Sequence, residues 1–248
     1  MRLTVIGCSG SFPGPDSAAS CYLVEADGFH VLLDLGNGAL GALARHLDIY
    51  DVDAVLLSHL HADHCLDLCS YYVARKYHPE GPAPRIPVHG PAGTAERLAR
   101  AYELTPEPGM TEEFVFLSWS FNAHEVGPFQ VTVERVEHPV ETFAMRLEHD
   151  GKVLAYSGDT AACDSLRRIA RDADLFLCEA SFHEGRDSEP GLHMTGRAAA
   201  EQATEAGARR LVLTHVPPWN DPGRTLAEAA PAYDGPLELA RPGATYAI

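Results

Sequence analysis

The chain has 248 residues, a formal net charge of −16 and 46% hydrophobic residues, which suits one domain with a sizeable core, expected over residues 1–248. The charge argues against a polyanionic partner: nucleic-acid binders carry a basic face, and Lys/Arg gather here only in short pairs such as Arg167-Arg168 and Arg209-Arg210. Apolar runs such as Val55-Leu56-Leu57 are far too short to span a bilayer, six cysteines without a CxxC pair read as reduced thiols, and Met1–Gly7 reads as a strand entering a turn rather than a signal peptide, so a cytoplasmic location is expected.

Along the chain, short apolar runs closed by turns predict strands at Leu3–Ile6, Cys21–Glu25, His30–Asp34 and Ala54–Leu57. Further strands are expected at Gln130–Val136, Ala144–Leu147, Val153–Tyr156, Leu175–Cys178 and Leu211–Thr214, and at the closing pieces Leu237–Ala240 and Thr245–Ile248. Helices are expected at Gly38–Leu47, Asp63–Lys76, Gly93–Glu103, Ala161–Asp172 and Thr195–Ala206, the last capped by Gly207. Asp150-Gly151 signals a hairpin. Residues 104–124, with Trp119 and Phe121, read as core packing, with a loop beside the substrate as the other reading. Sheet, helices, then strands alternating with helices suit two central sheets packed together with helices outside.

Chemistry concentrates in Ser58-His59-Leu60-His61-Ala62-Asp63-His64, directly after an apolar strand. In an extended segment residues two apart project to one side, so His59 and His61 can reach one ion. Asp63 and His64 fall at the start of the next helix. Imidazole nitrogen with carboxylate oxygen suits zinc, and also manganese or iron. Three more ligand types sit just past the ends of apolar strands: His138, Asp159 within Ser157-Gly158-Asp159-Thr160, and His215. Singly, each has another reading: a loop histidine beside Pro139, a helix N-cap, a core histidine. Together they supply enough donors for two metals with room for water.

The ordered set HxHxDH, His, Asp, His resembles the metallo-β-lactamase superfamily, and the resemblance covers nearly the whole chain, from Gly7–Gly10 and Asp34-Leu35-Gly36 to His215. It implies an α/β (α+β) fold: a four-layer αββα sandwich of two mixed β-sheets flanked by helices. It also implies two divalent metal ions, with zinc expected first and manganese or iron as alternatives. One would take His59, His61 and His138, the other Asp63, His64 and His215, with Asp159 bridging. Cys178-Glu179-Ala180-Ser181-Phe182 followed by Gly191-Leu192-His193-Met194-Thr195-Gly196 resembles the ribonuclease Z-like branch. There a Glu on a strand end supports a His that opens a helix, so Glu179 would orient His193 toward the leaving group; an exposed loop histidine is the other reading of His193.

One departure bears on substrate. Ribonuclease Z proper carries a long insertion that grips tRNA between the single His and the bridging Asp, whereas here only residues 139–158 intervene and read as a plain hairpin. With the net charge of −16, this argues against tRNA. The expected reaction is attack of a metal-activated water on a small or flexible phosphodiester, such as a cyclic nucleotide or short oligonucleotide, with Asp63, His193 and Glu179 as catalytic groups. A carboxylic ester, lactone or thioester hydrolase is the alternative, and a non-catalytic metal-binding protein a third. The resemblance also makes a homodimer an expectation, since relatives often pair.

Overall fold

The computed structural model describes residues 1–248. Its first sheet holds β1 (Arg2–Ser9), β2 (Ala18–Ala19), β3 (Cys21–Ala26), β4 (Phe29–Leu33), β5 (Ala54–Leu56), β6 (Ile86–Gly90) and β7 (Phe114–Ser118). The second holds β8 (His124–Val126), β9 (Phe129–Arg135), β10 (Phe143–His149), β11 (Lys152–Tyr156), β12 (Leu175–Glu179), β13 (Leu211–Thr214) and β14 (Leu237–Leu239). The last strand, β15 (Thr245–Ala247), returns to the first sheet beside β1, giving the order β15-β1-β3-β4-β5-β6-β7 with β2 paired to β1. The second sheet runs β14-β13-β12-β11-β10-β9-β8.

Alternation along each strand divides the apolar residues into layers. One set faces inward and interlocks between the sheets: Leu3, Val5, Val31, Leu33 and Leu56 from the first, Val131, Val133, Met145, Leu154, Leu177 and Val212 from the second. The opposite set on the first sheet, including Leu23, Leu32 and Val55, meets α3 (Asp67–Lys76) and α4 (Thr94–Ala101) through Leu68, Tyr71 and Leu98. On the second sheet Phe176, Cys178, Leu211 and Leu213 meet α5 (Asp164–Ala170) and α6 (Gly196–Ala206) through Leu166, Ile169, Ala199 and Ala203. Both faces of each sheet are therefore covered, which is the αββα sandwich. Each fully buried aliphatic side chain contributes about 1.5–3 kcal/mol toward holding the layers together.

Several boundaries differ from expectation. The helix expected at Asp63–Lys76 is two: α2 (Ala62–Cys65) and α3, separated at Leu66. The backbone of Leu35 intrudes there, its N–H donating to His64 O at 2.8 Å and its carbonyl accepting from Asp67 N at 3.2 Å, so the helical ladder cannot run through. The first helix is shorter than Gly38–Leu47, being α1 (Ala39–Leu43). Strands β6, β7 and β8 and the helix α7 (Pro222–Ala229) are additions. The Asp150-Gly151 turn joins β10 to β11 with φ of 50° and 70°, as a tight hairpin requires. Trp119 packs in the core and donates its Nε1–H to Leu57 O at 2.9 Å, whereas Phe121 is 74% exposed.

Candidate metal centre

β4 runs parallel to β5, and β11, β12 and β13 run parallel to one another. β9 is antiparallel to β10, which is antiparallel to β11, so β9 and β11 share a direction. The residues that leave these strands at their C-terminal ends consequently meet along one edge of the sandwich. His59 follows β5, His138 follows β9, Asp159 follows β11, Glu179 ends β12 and His215 follows β13. α2 brings Asp63 and His64 to the same place.

The donor atoms fall into two groups, each within 4.8 Å: His59, His61, His138 and Asp159 in one, Asp63, His64, Asp159 and His215 in the other. Asp159 is shared. Its Oδ2 lies 3.6 Å from His59 Nε2, and its Oδ1 lies 3.2 Å from His64 Nε2 and 3.4 Å from His215 Nε2. In the first group His59 Nε2 is 3.0 Å and His138 Nε2 3.3 Å from His61 Nδ1. In the second, His64 Nε2 and Asp63 Oδ2 each lie 3.1 Å from His215 Nε2.

The rings are oriented from behind. Asp34 is fully buried; its Oδ2 takes hydrogen bonds from His64 Nδ1 at 2.7 Å, Ser58 Oγ at 2.8 Å and Tyr156 Oη at 2.7 Å. Having donated its proton to Asp34, Ser58 Oγ accepts from His59 Nδ1 at 3.0 Å. Ser181 Oγ donates to His215 O and accepts from His215 Nδ1 at 2.7 Å. His138 Nδ1 donates to Leu192 O at 2.9 Å. In His59, His64, His138 and His215 the Nδ1 proton is thus engaged and the Nε2 lone pair points inward.

Glu179 does a similar service for His193. Its Oε1 accepts from His193 Nδ1 and from Thr160 N, each at 2.8 Å, and its Oε2 from Ser181 N at 3.2 Å and Met194 N at 3.3 Å. Glu179, His193 and His215 also lie close enough to share an ion. The four donors on Glu179 leave its oxygens engaged, which makes it an orienting group. The His193 ring stands 5.5 Å from that of His138 and 5.6 Å from that of His215, between the two groups.

A family model described as a Beta-lactamase superfamily domain matches residues 30–216. The chain belongs to the metallo-β-lactamase superfamily. An uncharacterized protein of Mycobacterium leprae is 43% identical, covering 100% of this chain and 89% of the relative. The probable metallo-hydrolase YhfI of Bacillus subtilis is 30% identical, covering 98% of each. The YhfI crystal structure superposes with a TM-score of 0.89 over 99% of this chain and 98% of that one. A ribonuclease Z of Myxococcus xanthus is 29% identical over 299 aligned positions, covering 99% of this chain and 97% of the relative. These relatives place the chain with the ribonuclease Z-like members of the superfamily, which are metallo-hydrolases.

The donor set fits the divalent ions that a metallo-hydrolase implies. Inward lone pairs and carboxylate oxygens face one another at close range, and Asp159 Oδ1 is buried without a hydrogen-bond donor. Burial alone lowers the pKa of His64, yet Asp159 and Asp34 outweigh it and hold it well above the ordinary imidazole value, so the Nε2 proton that they favour is the positive charge that an ion on that lone pair would replace. Burial raises Asp159, while His215, His64 and His59 hold it well below the usual carboxylate range. The cluster requires positive charge at its centre, and cations meet that need for all its acceptors at once.

Asp34, Ser58, Ser181 and Tyr156 are the site residues that sequence reasoning assigned no role. A signal existed for Asp34: it stands immediately after the apolar strand β4, as Asp159 stands three residues past the end of β11. The other three act through their hydrogen bonds, and nothing in their spacing marks those partners.

Proposed function

We propose that the chain is a binuclear metal-dependent phosphodiesterase acting on a small or flexible phosphodiester. The carrying observation is His193, held by Glu179 and standing between the two donor groups. His59, His61 and His138 would hold one ion, Asp63, His64 and His215 the other, and Asp159 would bridge; the nitrogen and oxygen donors suit zinc, then manganese or iron. Such ions, when bound, supply Lewis acidity and an activated water near neutral pH.

The chain's own residues do the rest. Asp63 accepts a hydrogen bond from the attacking water and fixes its approach. His193, with Nδ1 committed to Glu179, carries its transferable proton on Nε2 and delivers it to the departing oxygen. Burial pushes the His193 imidazolium down, but the Glu179 carboxylate and its hydrogen bond outweigh this, and the pKa is pushed up to about 9. The acid is therefore charged at neutral pH. An alkoxide leaving a phosphodiester needs that proton. Relatives bearing the name ribonuclease Z support phosphoryl chemistry. The hairpin β10–β11 occupies the stretch between His138 and Asp159, and with the charge of −16 it favours a small substrate over tRNA.

A screen separates phosphorus from carbon as the electrophile. Metal-loaded protein is expected to turn over bis(p-nitrophenyl) phosphate well above p-nitrophenyl acetate and a panel of lactones and thioesters. Strong activity confined to the carboxylic substrates would overturn the proposal in favour of an esterase or lactonase.

A further inference from the structure

Phe12 and Trp219 are 40% and 62% exposed, yet their rings meet with centroids 4.9 Å apart and planes inclined by 40°. Both are fastened to the candidate centre. Trp219 lies four residues beyond His215, across Pro217-Pro218, whose rings restrict the backbone. The next residue, buried Asn220, anchors the turn: its Nδ2 donates to Ser181 O at 2.7 Å and its Oδ1 accepts from Arg186 Nη1 at 2.7 Å. Ser181 is the residue that orients His215. On the other side, Ser11 points its N–H at His215 Nε2 at 3.4 Å. This approach depends on Gly10, where a Cβ would sit 2.2 Å from His215 O. Chain geometry then puts Phe12 Cα within about 8 Å of His215 Nε2. Two exposed aromatic residues thus leave the chain beside the donor cluster, one four residues beyond His215 and the other with its Cα in reach of the His215 ring.

We propose that Phe12 and Trp219 form a stacking platform for the nucleobase of a nucleotide phosphodiester whose phosphate sits at the metal centre. This rests on the phosphodiesterase reading and names its substrate class. A chain with a net charge of −16 gains little from long-range attraction for an anionic substrate, so affinity away from the metals has to come from contacts indifferent to charge. Base–aromatic stacking is such a contact and accepts any base, because every base has a π-face.

The test compares two substrates with one leaving group: thymidine 5′-(p-nitrophenyl phosphate) and methyl p-nitrophenyl phosphate. Metal-loaded wild type is expected to prefer the nucleoside ester in kcat/KM by about tenfold or more, and Phe12→Ala/Trp219→Ala to lose that preference. Adenosine 5′-monophosphate should also quench tryptophan fluorescence in the wild type but not in Trp219→Ala, where Trp119 alone emits, with weaker binding in Phe12→Ala. A preference that persists in the double variant, a parallel fall for both esters, or a difference in oligomeric state between wild type and the variant overturns the platform and leaves the phosphodiesterase reading standing. Wild type that cleaves neither ester overturns that reading, and the platform with it.

Discussion

Glu179 is fully buried and accepts four hydrogen bonds, so its charge is compensated at every lone pair within reach. Its effect is exerted through His193. Glu179→Gln keeps an acceptor for Nδ1–H and removes the negative charge that stabilises the imidazolium. The His193 pKa then falls, the proton donor is lost at lower pH, and the basic limb of the pH profile for phosphodiester turnover moves down by about one pH unit or more. A basic limb that stays in place in Glu179→Gln would contradict the role given to this pair. Asp34 shows the same logic for a ring facing the metals: one carboxylate sets the tautomer of His64 directly and that of His59 through Ser58. Loss of such a partner typically costs about ten- to a hundredfold in metal affinity.

At the scale of elements, the donors converge because parallel strands end on one edge, and because loops press tightly against one another there. Gly36 shows how tightly: a Cβ at this position would lie 1.9 Å from Asp63 O and 2.9 Å from the Ala19 methyl group. Gly36→Ala must push α2 away from the strand end, and a lowering of Tm by about 5 °C or more is expected in thermal unfolding; an unchanged Tm would show that the two loops are not held together as described. Legibility follows the same physics. Leu211–Thr214, a buried central strand with a continuous apolar run, was readable to the residue. β6 was not, since Pro87, His89 and Gly90 interrupt its run, and β7 was not, since it is an edge strand with three of its five residues exposed. α7 had a readable start, with Asp221 capping Gly223 N and Pro222 in the first turn, but only Thr225 and Ala229 are buried along it, which leaves no apolar stripe to detect. The candidate ligands were legible as residue types because His59, His138, Asp159 and His215 each follow a strand end and His61, Asp63 and His64 share the run that His59 opens. Their orienting partners were not, because Asp34 and Ser181 reach the rings from the neighbouring strand of the same sheet and Tyr156 reaches Asp34 from the opposite sheet, pairings set only when the strands are in register and the sheets packed. The Phe12–Trp219 pair joins opposite ends of the sequence and has no local signature.

Across the whole molecule, the sandwich gathers acceptors from both sheets into one buried edge of a strongly acidic chain. Asp34, Asp63 and Asp159 are buried there with five imidazole rings around them, an arrangement that folding alone disfavours and bound cations stabilise. The central proposal is that this edge would hold two ions with Asp159 shared between them. Elemental analysis of protein expressed with zinc or manganese supplementation tests it most directly. The account predicts close to two ions per chain; protein that purifies with one ion or none after such supplementation would contradict it.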